Sequence, residues 1–193
     1  MVEKKQINFP RYEHYKDSGI EWIGEIPAHW EIKKLKYLAE INPNHKPKAE
    51  FQNQKVIFLP MEKVSEIGEK DYSEFKVYQD VINGYTSFQR YDVLLAKITP
   101  CFENGKSAYL DDMPTEYGFG STEFHVIRAK NATEKYLFYL VTSGYFRKNA
   151  EAFMVGSAGQ KRVTTEYLKN HKFFIPPLPE QTAIAQFLDH KTA

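Results

Sequence analysis

YDVLLAKI (Tyr91–Ile98) is a near-continuous apolar run containing a β-branched residue at each end, closed by Asp92 on one side and Thr99-Pro100 on the other. Such a run predicts a strand, because it is too short for an ordinary helix and is punctuated by breakers. Shorter segments of the same texture surround it. KVIFLP (55–60) and FKVYQD (75–80) precede it, and SAYL (107–110) and TEFHVIRA (122–129) follow, the last with Phe124 and Val126 alternating with polar partners. Asn83-Gly84 is a turn signal between two of these runs. Beyond residue 130 the period changes from two to helical. In ATEKYLFYLVTSG (132–144), Tyr136, Leu137, Leu140 and Val141 share one face, with Gly144 as a stop. YFRKNAEAFM (145–154) repeats the pattern through Phe146, Ala150 and Phe153. A glycine-rich loop, a short helix over TTEYLKN (164–170) and a strand over KFFI (172–175) come next. Strands, then a helical pair, then a last strand predict an α+β domain with one twisted, mostly antiparallel sheet.

The two ends carry separate signals. Residues 1–19 are polar and Tyr-rich, an arm rather than an element. Trp22, Ile23, Ile26 and Trp30 are apolar anchors around a turn at Gly24 and Pro27, followed by a short strand passing into a helical turn that ends at Asn42-Pro43. INPNHKPKAEFQNQ (41–54) is a polar loop whose prolines forbid a central strand. At the other end, FFIPPLPEQTAIAQFLDHKTA (173–193) opens an amphipathic helix. Pro179 suits its first turn and Glu180 suits its dipole. Ile184, Phe187 and Leu188 lie on one stripe, expected to pack on a partner or back on the domain itself. The expected division is a domain over 1–175 and a helix over 176–193 that is built to continue.

Composition narrows the class. With 193 residues and 42% hydrophobic content the chain can bury one real core. A formal net charge of +1 argues against a polycation, yet leaves room for a local phosphate-binding patch, because screening acts within about 10 Å. The single Cys101 excludes an internal disulfide and a cysteine zinc cluster. The absence of a long apolar stretch and of a signal-peptide core points to a soluble, cytoplasmic protein without membrane contact.

Two loops concentrate donors. ITPCFENGK (98–106) carries Thr99, Asn104 and Lys106 directly after Lys97. GSAGQKR (156–162) carries Ser157, Gly159, Gln160, Lys161 and Arg162, and its glycines allow backbone N–H groups to form an anion nest. Gln160 can bond adenine, Lys161 can neutralise a phosphate, and Arg162 can do that or read guanine. The same segment is also a common solvated surface turn. It lacks the Lys-Ser/Thr ending of a phosphate-binding P-loop, so ATP binding is not expected. Catalytic patterns are poorer. Glu74-Phe75-Lys76 with Asp71 is the best match to a small metal-dependent nuclease, but Asp71 lies too close in sequence to bring a second carboxylate from a separate element. The six histidines form no helical metal-ligand pair, and no metal site is expected. The run KKLK (33–36) is a solvated face or a DNA-facing edge.

Taken in order, YKDSGIEWIGEIPAHWEIKKLKYL, DVLLAKITPCFENGK, GFGSTEFHVIRA, GSAGQKRV and FFIPPLPEQTAIAQFLDHK resemble the specificity subunits of type I restriction–modification systems. That resemblance implies a target recognition domain over 1–175 followed by the start of the conserved spacer helix over 176–193. Full subunits of this kind hold two such domains, each reading half of a split double-stranded DNA target. It implies a non-catalytic chain without a cofactor of its own. S-adenosylmethionine would sit on partner methyltransferase subunits, and ATP and Mg²⁺ on restriction subunits. On the two donor-rich loops, DNA contacts are expected from Lys97, Thr99, Asn104, Lys106, Ser157, Gly159, Gln160, Lys161 and Arg162, and the resemblance does not say which of them touch bases. Ile184, Phe187 and Leu188 would meet a partner or a second copy. A chain with one recognition domain is expected to be a half subunit or part of a longer one.

Overall fold

The computed structural model describes residues 11–21, 23–44, 49–157 and 159–192. The first ten residues of the predicted arm, the anchor Trp22 and part of the polar loop at 45–48 lie outside these. The strands are β1 (Tyr15–Asp17), β2 (Glu25–Pro27), β3 (Glu31–Lys34), β4 (Ala39–Ile41), β5 (Lys55–Leu59), β6 (Phe75–Val77), β7 (Thr86–Gln89), β8 (Val93–Ala96), β9 (Ser107–Tyr109), β10 (Tyr117–Gly120), β11 (Phe124–Ala129) and β12 (Lys172–Ile175). The helices are α1 (Leu35–Leu38), α2 (Tyr78–Val81), α3 (Glu134–Thr142), α4 (Gly144–Glu151), α5 (Thr165–Asn170) and α6 (Leu178–Thr192).

Mixed α+β character and antiparallel pairing are as the sequence implies, but the strands divide into two sheets of four and two short ribbons. One sheet runs β4-β11-β8-β9, all antiparallel, and the other β6-β5-β10-β7, in which only β5 and β10 are parallel. The ribbons are β1-β2 and β12-β3. Alternation along β8 explains the division. Val93 and Leu95 join the core under the helices, with Ile127, Leu137, Val141, Phe146 and Phe173. Leu94 and Ala96 face the other way, onto Ile57, Leu59, Phe88, Phe124 and Val126 between the sheets. The apolar run is continuous because both faces of the strand are covered. A third cluster packs Val56, Phe58 and Phe119 against Tyr78 and Val81 of α2.

Several elements depart from the expectation. FKVYQD is a strand only to Val77 and then turns as α2, and Ala39–Ile41 is a strand where a helical turn was expected. YGFG (117–120) forms the fully buried β10. Its glycines act through close approach, since a Cβ on Gly120 would lie 2.1 Å from the Leu59 carbonyl oxygen. Helix α6 turns Gln181 and Ala185 inward. The Gln181 amide accepts from the Thr133 N–H at 2.9 Å and donates to the Pro176 carbonyl at 2.9 Å. Ile184 packs partly against the helical core, while Phe187 and Leu188 are half-buried. Glu180 does more than complement the helix dipole. It accepts from Trp30 Nε1 at 2.9 Å and lies 3.0 Å from His29 Nε2, tying the N-terminal segment to the outgoing helix.

One ion pair locks the β8–β11 register. Asp92, 1% exposed, accepts from Arg128 Nε at 2.8 Å, Arg128 Nη2 at 2.7 Å and the Gln89 N–H at 2.7 Å. Its carboxylate would be left buried and under-compensated without the guanidinium. Arg128→Ala is therefore expected to lower the unfolding free energy by on the order of 3 kcal/mol, as measured by urea denaturation.

Candidate nucleic-acid interface

The two donor-rich loops, separated by 50 residues and more of chain, are neighbours. Beyond Ala96 the chain continues as a short extension whose Lys97 carbonyl accepts from the Val163 N–H at 2.9 Å, while the Thr99 N–H donates to the Lys161 carbonyl at 2.9 Å. Ile98 and Arg162 form a bridge pair, and Arg162 pairs on its other side with Val155. The described residues of 155–157 and 159–162 thus form the arms of a hairpin laid along the end of β8. Its turn requires Gly156 (φ +138°), where a Cβ would sit 2.6 Å from the Gln160 carbonyl oxygen. On the third side, the Lys97 N–H donates to the Glu123 carbonyl at 2.9 Å, which brings in the turn joining β10 to β11.

A buried histidine fixes this assembly to the sheet. His125 Nε2 lies 2.8 Å from the Val163 carbonyl, and Nδ1 lies 3.2 Å from Asn42 Nδ2. Donation by Nε2 and acceptance by Nδ1 fit one neutral tautomer. Asn42 is held in turn: its N–H donates to the Val126 carbonyl at 2.7 Å and its Oδ1 accepts from the Val126 N–H at 2.9 Å. Burial pushes His125 down to about 4, because the charged imidazole is poorly solvated there.

Within the interface the predicted residues play unequal parts. Ser157, Gly159, Gln160 and Lys161 are exposed on the hairpin. The anticipated anion nest is only partly available, since the Gln160 N–H donates to Ser157 and the Arg162 N–H to Val155. Arg162 is engaged by a carboxylate that the sequence reading overlooked: its Nε and Nη2 donate to Glu123 at 2.9 and 2.8 Å. Those bonds hold the Glu123 carboxyl below the usual carboxylate range. Lys97 stands beside both, and its pKa is lowered chiefly by burial, with Glu123 acting in the opposite direction. Thr99 is half-buried, with Oγ1 3.5 Å from Glu103. Asn104 is exposed. Lys106 is less available than expected, because it is half-buried and its Nζ donates to the Met61 carbonyl at 3.2 Å.

The sequence reading also passed over a groove of about 400 Å³ that Lys97 lines together with Asn44, Tyr85, Thr86 and Ser87. NGYTS was legible as a turn only, and nothing in its spacing links it to Lys97. The residues of the nuclease alternative are occupied otherwise. Asp71 pairs with Lys63 at 2.9 Å and its pKa is held down to about 2, first by that hydrogen bond. Glu74 pairs with Lys76 at 3.5 Å, and Lys76 lies over the Phe58 ring.

A three-sided junction of strand extension, hairpin and turn, carrying lysine, arginine and amide donors, is the kind of surface that meets nucleic acid. The family model described as the type I restriction modification DNA specificity domain matches residues 27–193, and the chain belongs to that family. Membership favours the specificity reading over the nuclease one. The EcoAI specificity subunit of Escherichia coli is 40% identical over 163 residues, which cover 83% of this chain and 27% of that protein. The EcoEI specificity subunit of the same organism is 36% identical over the same length. The chain spans about a quarter of these relatives, 27% of each. Among solved structures, the HsdS subunit of Thermoanaerobacter tengcongensis superposes with a TM-score of 0.67 at 21% identity, covering 86% of this chain and 42% of that one. At that identity it bears on the fold.

His125 makes the junction acid-sensitive. Below about pH 6.5 an unfolded-state histidine takes up a proton that native His125 refuses until about pH 4, so acidification through that window favours unfolding. His171, also pushed down to about 4 by burial, acts with the same sign. Stability is expected to fall between pH 6.5 and 4, and His125→Gln should be less stable at pH 7 but show a shallower decline, as read from thermal melts across that range.

Proposed function

We propose that this chain is one DNA target recognition domain of a type I restriction–modification specificity subunit, reading half of a bipartite double-stranded target. The observation that supports the reading is the hydrogen-bonded junction of 97–99 with 161–163, which makes neighbours of two distant donor-rich segments. Lys161 and Lys97 hold phosphates and set register without reading sequence. Gln160 and Arg162 reach base edges, with Thr99, Asn104, Ser157 and Gly159 shaping the approach. Lys106 is assigned a supporting role beneath the loop, in keeping with its bond to Met61.

The chain itself is non-catalytic on this reading. It directs methyltransferase and restriction subunits to the DNA, and S-adenosylmethionine, ATP and Mg²⁺ belong to those partners. α6 is the start of the spacer, and its Phe187 and Leu188 meet a methyltransferase subunit, the second spacer helix or another copy. Ile184 contributes less, being already packed inward. Incubation with Mg²⁺ and supercoiled plasmid is expected to leave the plasmid intact; nicking would favour the nuclease.

A single half-site offers few contacts, so binding should depend steeply on salt. Lys161→Ala is expected to weaken binding to all duplexes alike and to reduce the slope of log K against log[salt] by about 1, measured by fluorescence anisotropy. An unchanged slope would remove Lys161 from the phosphate contacts.

A further inference from the structure

Arg162 is the most preorganised cation on the proposed interface. Its backbone is fixed on both sides by the bridges to Ile98 and Val155. Its guanidinium is fixed again, with Nε and Nη2 on the two Glu123 oxygens and Nη1 3.3 Å from the Gln160 carbonyl. A guanidinium has five N–H donors. Three are spent here, which leaves one hydrogen on Nη1 and one on Nη2. With the Cδ-side hydrogen of Nη1 given to Gln160, the two left over point along the outer edge of the group as a parallel fork. The side chain is 42% exposed, so the guanidinium is held without being covered.

A fork of that kind matches two acceptors side by side, as guanine presents with O6 and N7 in the major groove. A free arginine loses rotamer freedom when it binds. One already held by a carboxylate has less to lose, and it discriminates through fixed geometry. The carboxylate has a second effect. By neutralising most of the guanidinium charge, it weakens the purely electrostatic attraction to any phosphate and leaves directional hydrogen bonding as the larger share.

Resting on the DNA-reading assignment made above, we propose that Glu123 is a positioning residue that converts Arg162 from a phosphate binder into a reader of one guanine. Glu123 acts through Arg162 and touches no base. The ordering of roles on the hairpin follows: Lys161, exposed and unclamped, supplies affinity, and Arg162, clamped, supplies choice.

The test uses the 193-residue chain and a random duplex library selected at low salt, after which each guanine of the enriched duplex is replaced in turn by 7-deazaguanine, which lacks N7. One replacement is expected to weaken wild-type binding by about 5- to 100-fold. In Arg162→Ala that penalty should vanish. In Glu123→Ala it should shrink several-fold while affinity for unselected duplexes holds or rises, and Glu123→Gln, which keeps one acceptor, should restore part of it. A merely structural role for Glu123 would lower the melting temperature and weaken all duplexes together, leaving the penalty ratio unchanged; that result overturns the proposal. So does a wild-type chain that enriches a duplex in which no guanine is sensitive to the replacement. If the wild type enriches no duplex at all, the DNA-reading assignment falls and takes this inference with it, an outcome distinct from the other two.

Discussion

Coverage of β8 on both faces is the constraint from which the rest of the structure follows. Val93 and Leu95 look into the helical core, Leu94 and Ala96 into the space between the sheets, and all four are almost wholly inaccessible. A slip of one residue would exchange two differently shaped faces and pull Asp92 from Arg128. The strand is therefore fixed along its length as well as in its layer. Its partner β11 is fixed with it, through the pairs Phe124–Ala96 and Ile127–Val93. The first polar residues outside this block, Lys97 after β8 and Glu123 before β11, must then emerge side by side. The hairpin at 155–162 docks where they emerge, and His125 bonds its base from below.

The electrostatics are local rather than global. A net charge of +1 gives the chain no broad attraction for a polyanion. Within the junction, Lys97 and Arg162 stand beside the Glu123 carboxylate, Glu103 lies 3.5 Å from Thr99, and Lys161 is exposed on the hairpin. Charges so placed act locally, since the screening length at physiological salt is about 8 Å. Elsewhere the described lysines are more often tied up, as Lys63 is with Asp71, Lys70 with Asp111 and Asp112, and Lys135 with Asp189.

How much of this was legible in the sequence depended on whether the signal was local. β8 was visible because four consecutive apolar residues cannot be hidden, and α3 and α6 were visible through helical period and terminal signals. β10 was not, because glycine ordinarily marks turns and its role here is to admit the Leu59 carbonyl. The part of Gln181 in the inward face of α6 was not legible for a related reason. A glutamine scores as polar, yet Gln181 is buried because its amide serves two backbone groups that would otherwise lack partners. The donor loops were legible individually through their residue types. Their union was not, and neither was the Glu123–Arg162 pair, since residues 39 apart in sequence leave no local trace of contact. The family resemblance supplied the order of segments, which periodicity alone does not provide.

The outgoing helix is bolted near both ends. Glu180 takes Trp30 and His29, and Asp189 takes the Tyr139 hydroxyl and Lys135. The nine residue steps from Glu180 to Asp189 rise about 13 Å, so two anchors that far apart resist bending as one anchor would not. The Pro176-Pro177 step behind them is thereby relieved of acting as a hinge. A load placed on the outer side of this spar would be passed as torque into the two-sheet body, and the angle between spar and junction would behave as a built-in dimension of the molecule.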